Sequence, residues 1–120
     1  MYMICKVTSF MEDLNSLELE KLRKWFDEDS KVWIPPMKEI QGGKRILAFF
    51  RSMFRKYSHI EWQPSEIFSI GERRFFYETI SHGTIREKGL YNNNICTIIE
   101  FAENGTIQYL SDYFKDTNSF

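Results

Sequence analysis

The segment YLSDYF, residues 109–114, places one acidic side chain among apolar neighbours. In a β-strand, side chains two positions apart share a face, so Asp112 would point the same way as Leu110 and Phe114. An unpaired carboxylate on an apolar face costs free energy or has a raised pKa. Such a carboxyl group is suited to proton transfer, and Asp112 is therefore the candidate catalytic residue. The structural alternative is an Asp that pairs with a buried hydroxyl, a backbone amide or an Arg.

Further candidates come from the segment YETISHGT, residues 77–84, in which strand alternation aligns Tyr77, Thr79 and Ser81 on one face. The same alternation directs His82 to the opposite face unless a bulge intervenes. The predicted ligand-binding residues are Tyr77, Thr79, Ser81, Trp33, Leu110 and Phe114. The two His and two Cys are scattered along the chain, so no metal site and no cofactor are predicted.

Apolar residues spaced three and four apart predict the helices that must hold these side chains in place. Such spacing extends over residues 1–14 and over residues 46–57, the clearest helix of the sequence. Between them, Asn15 and Glu18 fit a capping-box pattern that would open a second helix. The short apolar segment 32–34 is stopped by two prolines and predicts a strand.

From residue 59 onward the apolar period changes to two, which is typical of strands. The predicted strands cover residues 59–70, 73–85, 94–102 and 106–115. A loop is expected over residues 86–93, and Asn104-Gly105 is expected to form a type I′ turn between the last two strands. This order of elements predicts a single α+β domain over residues 1–120, with helices on one face of a curved antiparallel sheet.

The composition limits the expected partners and location. Aromatic residues make up 17% of the chain, which suits a fold that lines a cavity as well as a core. The net charge of −1 gives no general attraction to nucleic acid or anionic membranes, and no apolar run reaches the length of a membrane span. Cys5 and Cys96 lie far apart in apolar segments, and the N-terminal sequence lacks a secretion signal, so a reducing, cytoplasmic location is expected.

Four motifs in a fixed order give the sequence a resemblance to a known superfamily. DEDSKVWIPP is followed by GGKRILAFFRSMF, then by SHGT, and finally by TIIEFAENGTIQYLSDYF. Over about residues 8–116 this arrangement resembles the nuclear transport factor 2-like superfamily and, within it, the small SnoaL-like proteins. The resemblance implies a cone-shaped half-barrel, in which the bent sheet wraps around the long helix and leaves a largely apolar pocket at the open end.

The resemblance can be followed residue by residue into the chemistries of this superfamily. In ketosteroid isomerase an Asp base precedes the Pro that closes the first short strand, and that position is Ile34 here. In limonene epoxide hydrolase an Asp on the final strand activates water and matches Asp112. The positions of its Arg and second Asp correspond to Thr79 and Ser81 here. SnoaL-type cyclases use one carboxylate as the acid–base group, a role that Asp112 could take.

Two functions are consistent with these residues. The first is an acid–base enzyme of the cyclase, isomerase or hydrolase type, in which Asp112 acts on an apolar small molecule. The second is a non-catalytic protein that binds a ligand or assembles as a homodimer. The resemblance, together with the aromatic residues of the predicted sheet, favours a homodimer formed through the sheet. The sequence does not identify the substrate.

Overall fold

A computed structural model describes residues 2–118 of the chain. Met1 at the start of the first predicted helix, and Ser119 and Phe120 at the end of the predicted domain, lie outside the described residues. Across residues 2–118 there are three α-helices and six β-strands. The helices are α1 (Tyr2–Asn15), α2 (Leu19–Leu22), which a 3-10 turn at Arg23–Trp25 extends, and α3 (Gly43–Lys56). The strands are β1 (Lys31–Trp33), β2 (Ile40–Gln41), β3 (Tyr57–Ile70), β4 (Arg74–Ile85), β5 (Gly89–Phe101) and β6 (Ile107–Phe114).

These strands form one sheet in the order β2-β1-β6-β5-β4-β3. Neighbouring strands are antiparallel except β1 and β6, which are parallel. The register of β3 on β4 shifts after Tyr57 and again after Pro64, and that of β5 on β6 shifts after Glu100. Bulges of this kind bend strands and increase their twist, and the sheet accordingly curls without closing. The predicted α+β class is confirmed.

The helices cover the inner face of this sheet and build the core with it. The buried residues of α1 are Val7, Phe10, Met11 and Leu14, and those of α3 are Ile46, Leu47 and Phe50. Both sets repeat at intervals of three and four, as one face of a helix requires. Along β4 the residues Phe75, Tyr77, Thr79 and Ser81 are buried in alternation. The inner face of the sheet and the apolar faces of two helices therefore enclose the same space.

The predicted capping box of Asn15 and Glu18 is wrong. Glu18 precedes α2 but makes no side-chain capping hydrogen bond. The Asn15 side chain instead donates from Nδ2 to the carbonyl oxygen of Trp62 and accepts at Oδ1 from its N–H, both over 2.8 Å. Trp62 lies on β3, an edge strand of the sheet, so Asn15 satisfies backbone groups that no neighbouring strand bonds.

Strand β5 is longer than its predicted span of 94–102. It begins at Gly89, so the loop expected over residues 86–93 shrinks to residues 86–88. Three consecutive Asn residues at 92–94 conceal this extension in the sequence, because Asn is depleted in strands. The long helix α3 ends one residue earlier than predicted, because Tyr57 begins β3.

The turn at Asn104-Gly105 is not the predicted type I′. A type I′ turn needs a positive φ at both central residues. Gly105 has a φ of 94°, but the φ of Asn104 is not positive. The Gly105 N–H donates to the carbonyl of Ala102 over 3.0 Å, and Asn104 Oδ1 accepts from the N–H of Thr106 over 3.0 Å. The loop is therefore the longer hairpin form, in which a left-handed glycine closes the turn.

Gly83 marks a close approach between β4 and β3. A Cβ atom at this position would lie 2.1 Å from the His59 carbonyl oxygen and 2.7 Å from the Ile60 Cα. Since both contacts are with backbone, Gly83→Ala is expected to lower the free energy of unfolding by about 1–3 kcal/mol or more. Urea denaturation measures this loss. Ile80→Ala, at an exposed position of the same strand, is the control and should cost clearly less; equal losses in the two variants would contradict the close approach.

Candidate active site

A cavity lies between the inner face of the sheet and the helices α1 and α3. The space open to the centre of a water molecule is about 50 Å³, which corresponds to roughly four waters or one small ring. Its walls are mainly apolar: Phe10, Met11 and Leu14 of α1, Phe50 and Met53 of α3, and Ile34, Tyr57, Trp62, Tyr91, Ile95, Leu110 and Phe114 of the strands and the loop after β1. The other lining residues are Tyr77, Thr79, Thr97 and Asp112.

Three of these polar side chains stand in one row across the sheet. Tyr77 on β4 pairs with Thr97 on β5, which in turn pairs with Asp112 on β6. The Thr97 hydroxyl donates to Asp112 Oδ1 over 2.6 Å. The Tyr77 hydroxyl donates to the sulfur of Met11 over 3.3 Å. Pairing across neighbouring strands therefore places the phenol of Tyr77, the hydroxyl of Thr97 and the carboxyl group of Asp112 on the same wall of the cavity.

Asp112 has the acid–base behaviour that its apolar surroundings dictate. Burial raises the pKa of its carboxyl group to about 7, and the hydrogen bond from Thr97 offsets only part of that rise. An ordinary Asp titrates near 3.9. As a residue Asp112 is only partly buried, which agrees with a side chain that lines the cavity rather than one packed solidly on all sides. Near neutral pH the carboxyl group can therefore both give and take a proton.

No cation compensates the Asp112 carboxyl group at the cavity wall. The lining residues, all within the described part of the chain, include no Lys, Arg or His. A neighbouring cation would lower the pKa of Asp112, as opposite charges do. The effect of the carboxylate reaches Tyr77, whose pKa is raised first by burial and then by the charge of Asp112. Among the described residues, the partner that Asp112 has from the structural alternative is a hydroxyl, that of Thr97.

Thr79 contributes a second polar feature to the same cavity. It lies on β4 two residues beyond Tyr77 and is 3% exposed. Its hydroxyl oxygen has no hydrogen-bond partner among residues 3–118, and it is the one buried side-chain oxygen or nitrogen of that range in this condition. Buried polar groups are nearly always paired, so this hydroxyl needs an explanation.

The structure brings most of the candidate residues together and separates two of them. Tyr77, Thr79, Leu110 and Phe114 line the cavity with Asp112. Trp33 lies outside it and is 44% exposed, because its position on β1 pairs with Ser111, on the opposite face from Asp112.

Ser81 and His82 also lie away from the cavity lining. Ser81 is buried one step further along β4, where its hydroxyl donates to the carbonyl of Asn93 over 3.3 Å. His82 pairs in register with Glu61, and its Nε2 lies 3.4 Å from a Glu61 oxygen at a half-exposed position. Strand alternation, uninterrupted at His82, thus holds its ring on the outer face.

Thr97 is a polar residue of the candidate site that sequence reasoning missed. The signal was present in the segment ICTIIEF, residues 95–101, where Thr97 alternates with the apolar residues Ile95 and Ile99. A hydroxyl on the buried side of a strand has to find a partner. Only the register of β5 on β6 shows that the partner is Asp112.

Within residues 2–118, no group of three or more His, Cys, Asp or Glu side chains is placed to hold a metal ion. No helix in that range is long and apolar enough to cross a membrane.

Comparison with known proteins decides the family. The sequence matches the SnoaL-like domain over residues 7–110. The chain belongs to the SnoaL-like domain family. A search of curated proteins finds no match to this SnoaL-like chain.

Solved structures agree with this assignment. The SnoaL-like chain superposes with a TM-score of 0.84 on SalBIII, an epoxide hydrolase/cyclase-like enzyme of pyran ring formation in salinomycin, at 11% identity over 98% of this chain and 93% of that one. It superposes on an NTF2-like protein of unknown function from Exiguobacterium sp. 255-15 with a TM-score of 0.82, at 15% identity over 93% of this chain and 99% of that one. On an LEH-like epoxide hydrolase from M. tuberculosis the TM-score is 0.79, at 20% identity over 94% of this chain and 82% of that one.

At these identities the likeness concerns the fold and not the activity. The predicted membership of the nuclear transport factor 2-like superfamily is confirmed, as is the cone-shaped α+β architecture of a curled, unclosed sheet around helices.

Proposed function

We propose that the protein is an acid–base enzyme acting on a small, uncharged and largely apolar molecule, with Asp112 as the group that moves the proton. The observation that carries the proposal is a carboxyl group with a pKa of about 7 at the wall of an apolar cavity. A general acid or base works best when its pKa lies near the working pH. Perturbed carboxyl groups in cavities are also enriched at functional sites.

The proposed step uses one carboxyl group for both halves of a proton transfer. In its ionised form Asp112 accepts a proton from one atom of the substrate, and the resulting carboxylic acid returns it to another atom. Thr97 donates to Oδ1 over 2.6 Å and leaves Oδ2 for the substrate. The apolar walls orient the molecule, and the partly exposed carboxylic acid can exchange its proton with solvent before it returns one to the substrate.

This chemistry fits an isomerase or a cyclase better than a hydrolase. Hydration of an epoxide needs one group to activate water while another protonates the ring oxygen. The residues at the corresponding positions here are Asp112, Thr79 and Ser81, and only the first can exchange a proton near neutral pH. Two of the structural relatives are described as epoxide hydrolases or cyclase-like enzymes, which supports acid–base chemistry in this type of cavity without fixing the reaction.

Hydrogen–deuterium exchange on small ketones tests the proposal. Cyclohexanone and cyclopentanone in D2O lose their α-hydrogen signals in proton NMR when a base removes those hydrogens. The wild-type protein is expected to accelerate this loss over buffer, and Asp112→Asn is expected not to. Equal rates with the two proteins would overturn the assignment of Asp112 as the base.

A second candidate function, homodimeric assembly through the sheet, is favoured by the outer face. One row of paired positions there runs through Trp33, Ser111, Ile98, Phe76 and Phe68. Three of its side chains are exposed, Trp33 at 44%, Phe76 at 36% and Phe68 at 45%. The rings of Phe68 and Phe76 stack with centroids 5.1 Å apart. Contiguous exposed apolar surface of this kind is typical of interaction sites, and we propose that a second copy of the chain covers it.

The assembly proposal predicts that Phe76→Ser shifts the chain from dimer to monomer in sedimentation equilibrium. Loss of a large aromatic side chain from the centre of an interface commonly costs more than about 1 kcal/mol of binding energy. Leu90→Ser is the control, since Leu90 is 88% exposed and lies outside this row. A monomeric wild type, or a dimer that Phe76→Ser leaves intact, would contradict assembly through this face.

A further inference from the structure

The solvent face of α3 carries a concentration of positive charge that neither proposed function uses. The cationic side chains of this basic face are all exposed: Lys44, Arg45, Arg51, Arg55 and Lys56. No acidic residue occurs from residue 40 to residue 60. The ion pairs formed among residues 3–118 involve none of the five cations. The basic face is therefore uncompensated, a local excess that the net charge of −1 for the whole chain conceals.

The basic face is a broad band on the far side of the helix from the core. The buried residues of α3 are Ile46, Leu47 and Phe50. With 3.6 residues per turn, the five cations span an arc of about 140° opposite to these residues, over about 18 Å of helix length. The other residues of the arc are Ala48 and Ser52, whose small side chains would not hold an approaching surface away. The band can therefore lie against a flat, negatively charged surface.

The mouth of the cavity lies beside the basic face. Three lining residues are partly exposed while the others are buried: Met53, Asp112 and Phe114. The pairing of β6 with β1 ends at Ser111, so the cavity comes nearest to the solvent between the end of β6 and α3. Lys56 lies three residues after Met53, and its Nζ is 6.0 Å from the centre of the Tyr57 ring in the cavity wall. A cation of the basic face thus borders the opening.

The surroundings of the basic face favour a lipid surface as its partner. Phe49 and Phe54 are partly buried and flank the band on its two sides, which provides apolar contact at the boundary of headgroups and acyl chains. Anionic lipid attracts clustered Lys and Arg side chains. The exposed arc itself contains no aromatic ring on which a nucleic acid base would stack. A small apolar molecule also partitions into lipid, and the adjacent mouth gives it a path into the cavity.

We propose that the basic face of α3 holds the protein against an anionic lipid surface, with the mouth of the cavity beside the membrane. The choice of lipid as the partner rests in part on the proposed function, which places an apolar molecule in the cavity. The docking itself is independent of proton transfer at Asp112, because none of the five cations lines the cavity. The binding is peripheral, since α3 keeps its buried apolar residues in the core.

Sedimentation with lipid vesicles measures this docking. The vesicles consist of phosphatidylcholine alone or with about 30% phosphatidylglycerol, and both are used at low and at high salt. The wild type is expected to bind the anionic vesicles, to leave the neutral ones unbound, and to dissociate as salt screens the charges. Arg51→Gln combined with Arg55→Gln removes two cations, each of which contributes about a factor of five in affinity. This double variant should bind the anionic vesicles about 30-fold more weakly.

Arg73→Gln combined with Arg74→Gln is the matched control. Both residues are exposed and lie at the start of β4. The other end of β4 leads to Arg86, whose Nε donates to the carbonyl oxygen of Arg55 over 3.0 Å at the end of α3. The control therefore makes the same change in net charge away from the basic face and should bind the vesicles as the wild type does. Since all four substitutions are at exposed positions, neither double variant should shift the midpoint of urea unfolding.

Each outcome decides the assignment. A wild type that binds both kinds of vesicle equally, or neither, overturns it, as does an α3 variant that binds as tightly as the control. A single-stranded oligonucleotide that binds the basic face where anionic vesicles do not would make nucleic acid the partner instead. Asp112→Asn separates this inference from the proposed enzyme, because it should keep the vesicle binding although it cannot exchange protons. Vesicle binding that depends on Arg51 and Arg55 in a protein without exchange activity would sustain the inference and reject the enzyme.

Discussion

Replacing Asp112 with Asn should lower the rate of proton exchange on a bound ketone by about 10²- to 10⁴-fold, the usual contribution of a positioned general base. The amide has the shape of the carboxyl group but cannot accept the proton. In the wild type the rate should rise with pH through a midpoint near 7, because the base acts in its ionised form and burial raises the pKa of Asp112 to that value. The measurement is the exchange rate at saturating ketone between pH 5 and 9.

Thr97→Val is the matched variant for this prediction. The hydrogen bond from Thr97 lowers the pKa of Asp112, so its removal should move the midpoint of the rate profile to higher pH while leaving the activity of the ionised form largely in place. A merely structural role for Thr97 would change the amplitude and not the midpoint. A rate profile flat in pH, or an Asp112→Asn variant as fast as the wild type, would contradict the proposed base.

Asp112→Asn should also make the protein more stable than the wild type at pH 8, by about 1–4 kcal/mol. Since its pKa is raised in the folded state, Asp112 keeps its proton in the folded protein between about pH 4 and 7, where the unfolded chain has lost it, and above pH 7 the folded protein holds a buried charge. The wild type therefore loses stability as pH rises from about 4 to 7 and reaches a constant penalty above 7. At 1.36 kcal/mol per pKa unit the full shift corresponds to about 4 kcal/mol, and the partial exposure of Asp112 reduces it. The measurement is the unfolding free energy of both proteins at pH 5 and pH 8.

Asp27 supplies a control of opposite sign. A hydrogen bond from Thr106 lowers the pKa of Asp27, so its contribution is present above the unfolded pKa and lost as the solution becomes acidic. Asp27→Asn should therefore destabilise the protein at neutral pH. If Asp112→Asn were instead less stable than the wild type at pH 8, donors would stabilise the Asp112 carboxylate in the folded protein. The effect of its burial on the pKa would then not be the dominant one.

The alternation of residues along single strands was enough to predict which faces several cavity-lining residues take. The shared face of Leu110, Asp112 and Phe114, and that of Tyr77 and Thr79, follow from the two-residue repeat of a strand, and the cavity contains all five. The outward direction predicted for His82 follows in the same way. These predictions needed only that each strand be recognised and run without a bulge at the residue concerned.

Predictions that depended on pairing between distant segments were less accurate. Trp33 was expected at the pocket, but the parallel pairing of β1 with β6 sets it opposite Ser111 on the outer face. The partnership of Thr97 with Asp112 likewise depends on the register of two strands. The sequence of a single strand does not show its register with another strand, because the register is set by the hydrophobic pattern and the loops of the whole sheet.

The hydrogen-bond partners of short polar side chains were also hard to predict, because the sequence offers several partners of similar quality. Asn15 has a side chain suited to a helix cap, yet it bonds the backbone of Trp62 on the edge of the sheet. Asn104 is compatible with a left-handed conformation but uses its side chain to accept from Thr106. In both cases a short amide side chain has several good partners, and the tertiary fold selects one of them.

The carboxyl carbon of Asp112, followed by ¹³C NMR from pH 3 to 9 in the ligand-free protein, tests the central claim most directly, with Asp112→Asn identifying its signal. A titration midpoint of about 7 is expected, because the carboxyl group lies at an apolar cavity wall with one hydroxyl donor and no cation among the described lining residues. A midpoint at or below the ordinary value of about 3.9 would mean that solvent or donors stabilise the ionised form, and Asp112 could not be the proposed base.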